Sequence, residues 1–187
     1  MTDTLDVVAV VGSLRRESFT RRFTQALSAL APQSLRIEIV EIGDLPLYNQ
    51  DRDGDSPQAW QNFRARIKRA NGVLFATPEY NRSVPGVLKN AVDVGSRPEG
   101  KSVWAGKPAA IVSVTPYGLG AFGANHHLRQ SLVFLDMPTL QQPELYVSRA
   151  ESLLDASGKI SNAETKELAV KFLKAFEAWI RKNAPAG

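Results

Sequence analysis

Apolar and polar residues follow one another in blocks along this chain, and short apolar runs give way to longer segments with helical spacing. The runs at residues 5–11, 73–76 and 109–114 predict buried strands. Residues 35–42 alternate for part of their length, which predicts a strand at a sheet edge with one wetter face. A short fifth strand is expected at residues 145–147.

Helical patterns separate these strands. The first begins near Phe19, and the second and third begin at Pro57 and Pro85. Apolar stripes mark the last three helices: Val84, Val87, Leu88 and Ala91; Leu128, Leu132 and Leu135; Leu168, Phe172, Ala175, Phe176 and Trp179. We read the last stripe as core. Strands that alternate with helices predict an α/β protein: a single flavodoxin-like domain over residues 1–187, a three-layer α/β/α sandwich with a five-stranded parallel sheet in the order 2-1-3-4-5.

The stretch from Gly12 to Ser18 lies between the first strand and the first helix. Backbone N–H groups and the positive end of the helix dipole meet there, beside the hydroxyls of Ser13, Ser18 and Thr20 and the guanidinium of Arg15. We interpret this loop as a phosphate site. The alternative is that Ser18 only caps the helix and the arginines form a solvated face.

Two further loops belong to the same edge of the predicted sheet. Residues 77–83 offer a stiff turn, an aromatic ring and an amide, and residues 113–120 contain glycines that allow close approach. Ligands of such sheets bind beyond the carboxyl ends of the strands. The three loops therefore predict a ligand with a charged end and a flat end.

Composition limits the reactions and the ligands that can be expected for this chain. The chain has no cysteine, so redox chemistry would require a cofactor. Net charge is +4, with arginines around the first loop, which favours an anionic nucleotide. Helix-turn-helix and zinc-finger spacings are missing, so no nucleic-acid partner is expected. Met1–Thr4 lacks the positive region of a signal peptide and no segment predicts a membrane span, which indicates a cytoplasmic protein without membrane contact.

Two common nucleotide-binding motifs are missing, which narrows the range of expected ligands. G-x-G-x-x-G does not follow the first strand, and G-K-[ST] does not occur. A hydroxyl-lined turn suits a lone phosphate monoester, and flavin mononucleotide (FMN) joins such a group to a flat redox ring.

Three separated motifs carry a family resemblance. They are Gly12-Ser13-Leu14-Arg15-x-x-Ser18-Phe19; Thr77-Pro78-Glu79-Tyr80-Asn81 with Ser83-Val84-Pro85-Gly86-x-Leu88-Lys89-Asn90-Ala91; and His127-Leu128-Arg129-Gln130-x-Leu132-Val133-Phe134-Leu135-Asp136. Over roughly residues 5–147 the chain resembles the NADPH-dependent FMN reductase family, above all its bacterial quinone and chromate reductases.

The resemblance implies non-covalent FMN, with NADPH or NADH as hydride donor. It also implies a homodimer or homotetramer and two-electron reduction of quinones in a ping-pong cycle, with azo dyes, chromate and free flavin as further small-molecule acceptors. Since the flavin carries the chemistry, no catalytic side chain and no metal are expected. The alternative is a flavodoxin-type electron carrier, but carriers dock through a strongly acidic face, which a net charge of +4 argues against.

The resemblance also implies where FMN binds. Phosphate contacts transfer to Ser13, Arg15 and Ser18, and ring contacts to Pro78, Glu79, Tyr80 and Asn81. Near residues 113–118 the match is looser and only backbone contacts transfer. The full expected set adds Leu14, Phe19, Thr20, Val114, Thr115 and Gly118.

The chain departs from the family pattern at four positions. Glu17 and Thr20 replace a usual glycine and asparagine, and Val94 and Gly95 stand where relatives often carry tryptophan and leucine. A carboxylate at Glu17 would repel a bound phosphate unless it points to solvent or pairs with a neighbouring arginine.

Several side chains invite more than one interpretation. We expect Glu79 to orient backbone or to face a partner subunit rather than to act as an acid. Adjacent helical residues point about 100° apart, so His126 and His127 are expected to serve packing or an interface rather than a metal. The loop from Tyr48 to Asp55 is assigned either to a subunit contact or to the mouth of the site. The basic run is expected to be a solvated helix face: Arg64, Arg66, Lys68 and Arg69.

Overall fold

The computed structural model describes residues 4–184. The strands are β1 (Leu5–Val11), β2 (Leu35–Val40), β3 (Gly72–Thr77), β4 (Ala109–Val114) and β5 (Leu145–Val147). The helices are α1 (Phe19–Ser28), α2 (Gln58–Arg69), α3 (Gly86–Gly95), α4 (Phe122–Phe134) and α5 (Ala163–Lys182). The predicted absence of a signal peptide rests mainly on residues 1–3, which lie outside the described residues.

All five strands form one parallel sheet in the order β2-β1-β3-β4-β5, which confirms the predicted topology. The chain begins near the middle of the sheet, adds β2 on one side and then winds back across β3, β4 and β5. β2 is an edge strand, as its alternating pattern predicts. It ends at Val40, two residues before the predicted boundary, because the chain turns there and buries Ile42 against the α2 face.

The helices cover both faces of the sheet. One core cluster contains Phe23 of α1 and the aromatic residues Phe172 and Phe176 of α5, which confirms that the last stripe is core. The other contains residues of α2, α3 and α4. Val84, which belongs to the predicted α3 stripe, lies before the helix and packs against this second cluster.

A tryptophan occupies the space beside Gly95 at the end of α3. A Cβ on Gly95 would lie 2.4 Å from Cε2 of Trp104. The Trp104 indole is fully buried, and its Nε1 donates to the carbonyl of Val92 at 2.8 Å. Glycine at position 95 is therefore required by the indole that packs against it.

The expectation of a solvated basic face on α2 is wrong for two of its four residues. Arg64 donates to the carbonyl of Val94 at 2.8 Å, and its guanidinium lies over the Trp60 ring. The Arg66 side chain is 16% exposed and bridges Asp6 and Glu38. The aliphatic part of an arginine side chain packs favourably in the interior when its guanidinium is paired with a carboxylate.

Lys68 and Arg69 are exposed, as predicted. Among the helices formed by residues 4–184, none has both the length and the apolar character that crossing a membrane requires.

Candidate functional site

The loops that follow β1, β3 and β4 meet beyond the carboxyl edge of the sheet and enclose a cavity of about 260 Å³. It is lined by Ser13, Arg15, Ser18, Phe19, Thr20, Pro78, Glu79, Tyr80, Val114, Thr115, Pro116 and Tyr117. The structure therefore brings together the expected site residues except Leu14, Asn81 and Gly118.

The charged end of the site is built on the N-terminus of α1. Ser18 is the N-cap, and its Oγ accepts from the Arg21 N–H at 3.1 Å. Ser13 and Thr20 are 4% and 2% exposed, no hydrogen bond within residues 4–184 involves either hydroxyl, and neither oxygen is among the fully buried unpaired atoms, so both hydroxyls are open to the cavity. Buried polar groups are normally paired. Two unpaired hydroxyls beside a helix N-terminus provide donors for an anion.

Arg15 lies at the rim of this end. Its Nη2 donates to the carbonyl of Glu17 at 3.0 Å, and its guanidinium sits 5.6 Å from the centre of the Phe19 ring. The Glu17 side chain does not line the cavity and is exposed, so its carboxylate is screened by water. The neighbouring Arg21 pairs with Glu41 rather than with Glu17.

The second loop forms a tight turn at the flat end of the site. Tyr80 and Ser83 exchange two backbone hydrogen bonds of 3.1 and 3.0 Å. Between them, Asn81 and Arg82 have φ values of 51° and 63°, the left-handed pair that two-residue hairpin turns require. Asn81 consequently points past the cavity and lines an adjoining one of about 310 Å³, which shares Glu79, Thr115 and Tyr117 with the first.

Two side chains attach this turn to α4. Glu79 Oε2 accepts from the backbone N–H of Ala124 at 3.1 Å, and Glu79 Oε1 lies 3.5 Å from Arg82 Nη1. Ser83 Oγ lies 3.0 Å from His127 Nδ1, within hydrogen-bond distance. Of the roles considered for Glu79, the structure shows the orientation of backbone, here at the first turn of a helix where a carboxylate is favourable.

The third loop closes the site. Val114 and Thr115 line the cavity as expected, whereas Gly118 is exposed outside it. Pro116 and Tyr117 also line the cavity, although they were not among the expected site residues. The aromatic ring of Tyr117 in a loop at this edge of the sheet could have indicated its role. Tyr117 is 78% exposed and Tyr80 is 46% exposed, so two aromatic rings border an open mouth.

The two histidines point to different partners. His126 Nε2 lies 3.0 Å from the Tyr146 hydroxyl, and His127 contacts Ser83. Burial, together with donation to Glu144 at 2.7 Å, raises the pKa of Tyr146 to about 12. The portion of the chain from 4 to 184 contains no cluster of three or more residues able to hold a metal ion.

The loop from Tyr48 to Asp55 lies away from the site. The Tyr48 N–H donates to the side chain of Asn90 on α3 at 2.8 Å. None of its residues lines the candidate site; Tyr48 instead lines a separate cavity of about 410 Å³ that includes Phe134 of α4. Of the two assignments considered, the loop therefore does not form the mouth of the site within this chain.

The parts of the site fit a phosphate monoester joined to a planar ring. Unpaired hydroxyls and helical N–H groups gather at one end. Proline, valine and aromatic side chains border the other. No lysine lines the cavity, which suits one phosphate group rather than a polyphosphate. A sheet of this order with such a site defines the flavodoxin-like class of nucleotide-binding proteins.

Comparison with known proteins shows to which family of that class the chain belongs. The chain belongs to the NADPH-dependent FMN reductase family, whose model matches residues 5–152. It is 56% identical over 184 residues to a quinone reductase of Pseudomonas putida, an alignment that covers 98% of each chain.

Two further relatives support this placement. A 2-hydroxy-1,4-benzoquinone reductase of a Burkholderia species is 46% identical over 177 residues, which cover 95% of this chain and 97% of that protein. The flavoenzyme FerB of Paracoccus denitrificans, an NAD(P)H:(acceptor) oxidoreductase, superposes with a TM-score of 0.91 at 37% identity, covering 96% of this chain and 100% of FerB.

Proposed function

We propose that this protein is an FMN-dependent NAD(P)H:quinone oxidoreductase. The observation that carries the proposal is the pair of cavity-facing hydroxyls of Ser13 and Thr20, which have no partner within residues 4–184, at the N-terminus of α1 and in the same cavity as Pro78 and Tyr80. The family match to FMN reductases and the relatives named quinone reductases supply the cofactor and the acceptor class.

In this proposal the chain's own residues bind and orient. Ser13, Ser18, Thr20 and the N–H groups of α1 hold the phosphate, with Arg15 at the rim. Pro78 to Tyr80 and residues 114–117 flank the ring. When bound, FMN supplies the hydride acceptor for NAD(P)H and the two-electron donor for the quinone. The open mouth beside Tyr80 and Tyr117 admits both substrates in turn.

Purified protein tests this directly. We expect a yellow preparation that releases FMN on denaturation and oxidises NADPH or NADH with a benzoquinone, without a partner reductase. Initial rates at varied donor and acceptor should give the parallel lines of a ping-pong cycle. A colourless protein unable to take up FMN would contradict the proposal, and FMN uptake without NAD(P)H oxidation would indicate the electron-carrier alternative.

The range of acceptors is a finer proposal. We infer that azo dyes, chromate and free flavin also accept electrons at this open mouth, since Tyr80 and Tyr117 leave it accessible to molecules of different shape. A panel of these acceptors at equal concentration, with NADPH and NADH in parallel, ranks them against quinones. Acceptors that give no turnover would be removed from the proposal.

We also propose that the chain forms homodimers or homotetramers. Val133 and Phe134 at the end of α4 are 77% and 89% exposed, and Phe134 lines the same cavity as Tyr48. Adjacent apolar side chains this exposed favour a protein contact. Light scattering should give two or four times the monomer mass, and Phe134→Asp should lower it.

Cytoplasmic localisation and a single domain over residues 1–187 complete the proposal. Cell fractionation tests the first. One cooperative unfolding transition that coincides for different probes tests the second.

A further inference from the structure

The turn that leads from the third loop into α4 has an unusual backbone. Gly120 and Ala121 have φ values of 58° and 55°. A Cβ on Gly120 would lie 2.7 Å from the Cβ of Tyr146, so only glycine fits there. Ala121 in the left-handed region costs roughly 1 kcal/mol. Such conformations persist where neighbouring contacts hold them.

A directed chain of hydrogen bonds holds this turn. Arg129 Nε donates to Asn125 Oδ1 at 3.0 Å, and Asn125 Nδ2 donates to Ser113 Oγ at 3.2 Å. Ser113 Oγ in turn donates to the Gly120 carbonyl at 2.6 Å. The directions are fixed, because a guanidinium only donates and a carbonyl only accepts. We name Arg129, Asn125, Ser113 and Gly120 the Asn125 relay.

Asn125 reaches both residues of the turn. Its backbone N–H donates to the Ala121 carbonyl at 3.1 Å, while its side chain acts on Gly120 through Ser113. Asn125 and Ser113 are both 0% exposed, so water does not compete for these bonds. The cost of leaving either side chain unpaired is correspondingly high.

The relay fixes the far end of the loop that walls the candidate site. The near end is held by β5, since the Thr115 N–H donates to the Val147 carbonyl at 2.9 Å. Thr115 and Tyr117, which lie between the two anchors, line both cavities of the site. Between the two anchors, the Arg149 N–H donates to the Tyr117 carbonyl at 3.1 Å and Ser148 Oγ donates to the Gly118 carbonyl at 2.9 Å. Without the relay, the turn at Gly120 would therefore lose its buried side-chain anchor, while the part of the loop up to Gly118 would remain bonded to the segment after β5.

We propose that Asn125, which does not itself line the site, is a positioning residue that sets the third loop for cofactor binding. The inference rests on the proposed function, because it assigns the loop to an FMN site. Asn125 acts entirely through Ser113 and the turn at Gly120.

Asn125→Asp and Ser113→Ala interrupt the relay in different ways. Aspartate keeps the shape and the Arg129 contact but presents a second carboxylate oxygen to Ser113, whose single proton then cannot serve both that oxygen and the Gly120 carbonyl. Ser113→Ala removes the link itself. Ser113→Thr retains the hydroxyl and is the conservative rescue. Ser131→Ala is the matched control, since Ser131 Oγ on the same helix donates only to the His127 carbonyl.

The first measurement is hydrogen exchange of the peptide covering residues 115–121 in FMN-free protein. We expect exchange about fivefold or more faster in Asn125→Asp and Ser113→Ala, with the β1 peptide unchanged. The second is the dissociation constant for FMN, expected to rise about tenfold in both variants. At saturating FMN we expect the acceptor KM to rise more than kcat falls. Ser113→Thr and Ser131→Ala should match the wild type.

The inference is overturned if both relay variants exchange and bind FMN like the wild type, or if exchange quickens while FMN affinity stays unchanged. Thermal melts identify a variant that fails to fold, and the other variant then decides. A wild-type protein that takes up no FMN would overturn the proposed function alone, since the exchange rates would still show whether Asn125 holds the loop.

Discussion

Polar groups at the amino end of the sheet are paired within the chain, whereas two hydroxyls at its carboxyl end are not. At the amino end, Asp6 accepts from Arg66 and Arg36, and Asp6 and Asn71 exchange two further bonds of 2.7 Å. At the carboxyl end, the hydroxyls of Ser13 and Thr20 face the cavity and have no partner within residues 4–184.

This difference distinguishes stability from binding. A polar group already paired within the chain lowers the free energy of the folded state, whereas a hydroxyl that faces a cavity contributes little to folding and is available to pair with a ligand. Variants at the amino end should therefore change unfolding and leave FMN affinity unchanged, and variants at the carboxyl end should do the reverse.

The largest effect is expected for Arg66→Met at the amino end. It leaves the partly buried Asp6 carboxylate, whose side chain is 24% exposed, with only Arg36, whose side chain is 68% exposed, and it also removes the contact with Glu38. Urea unfolding should show a loss of about 3 kcal/mol, because hydrogen bonds to two carboxylates are lost. Arg36→Met, the matched control, should cost under about 1 kcal/mol because that arginine is mostly solvated. A change in FMN affinity with Arg66→Met would break the distinction between the two ends.

Arg15→Ala should give the largest effect at the carboxyl end. Loss of a charge-assisted contact should weaken FMN binding by about 1.5–3 kcal/mol, roughly 10- to 150-fold. Titration of FMN-free protein by flavin fluorescence measures this, with Arg16→Ala, which does not line the cavity, as control. If Arg15→Ala bound FMN as tightly as the wild type, the assignment of the phosphate end would be wrong.

Thr20→Val sharpens the comparison within one helix. It removes an unpaired hydroxyl, so FMN affinity should fall about fivefold while the free energy of unfolding of FMN-free protein does not decrease. Thr24→Val, one turn later, removes a hydroxyl that donates to the Thr20 carbonyl at 2.8 Å. That variant should lose about 1 kcal/mol of stability and keep FMN affinity. Calorimetry and FMN titration of both variants test this. A loss of stability in Thr20→Val, or a loss of FMN affinity in Thr24→Val, would contradict the prediction.

The smallest effect concerns pH. Burial, the largest single influence, raises the pKa of Asp6, but its hydrogen bonds and charge interactions with Arg66 and Arg36 together lower the pKa below its ordinary value of 3.8. Since the folded pKa is the lower one, the stabilisation is present above pH 3.8 and is lost as pH falls through the folded pKa.

Asp6→Asn tests this dependence on pH. The urea midpoint of the variant should fall less steeply than that of the wild type as the solution is acidified below the ordinary pKa of aspartate. Equal slopes for the two proteins would contradict the shift. FMN affinity at neutral pH should be the same in both.

Most of the fold could be predicted because it depends on repeating patterns. The bounds of β1, β4 and β5 match the apolar runs, and the sheet order follows from the alternation of strands and helices. Arg66 could not be placed, because its partners Asp6 and Glu38 are distant in sequence. A pattern of charge along one helix does not reveal carboxylates that the sheet brings beside it.

For the candidate site, the sequence predicts which loops meet but not where every side chain points. Loop positions after successive parallel strands identify which residues meet, and Ser13, Thr20 and Pro78 do meet in one cavity. The direction of each side chain depends on local backbone conformation. Left-handed Asn81 points into the neighbouring cavity for that reason, and the contact of Glu79 with Ala124 required the position of α4.

Gly95 and Trp104 have a consequence for how this sequence can change. A Cβ at position 95 and an indole at position 104 cannot share one space, so the effects of substitutions at the two sites are not independent. Gly95→Leu should be harmful beside Trp104 and tolerated once a smaller residue stands there. A larger residue can therefore stand at position 95 only after position 104 has become smaller, so the order of the two substitutions decides whether this core stays packed.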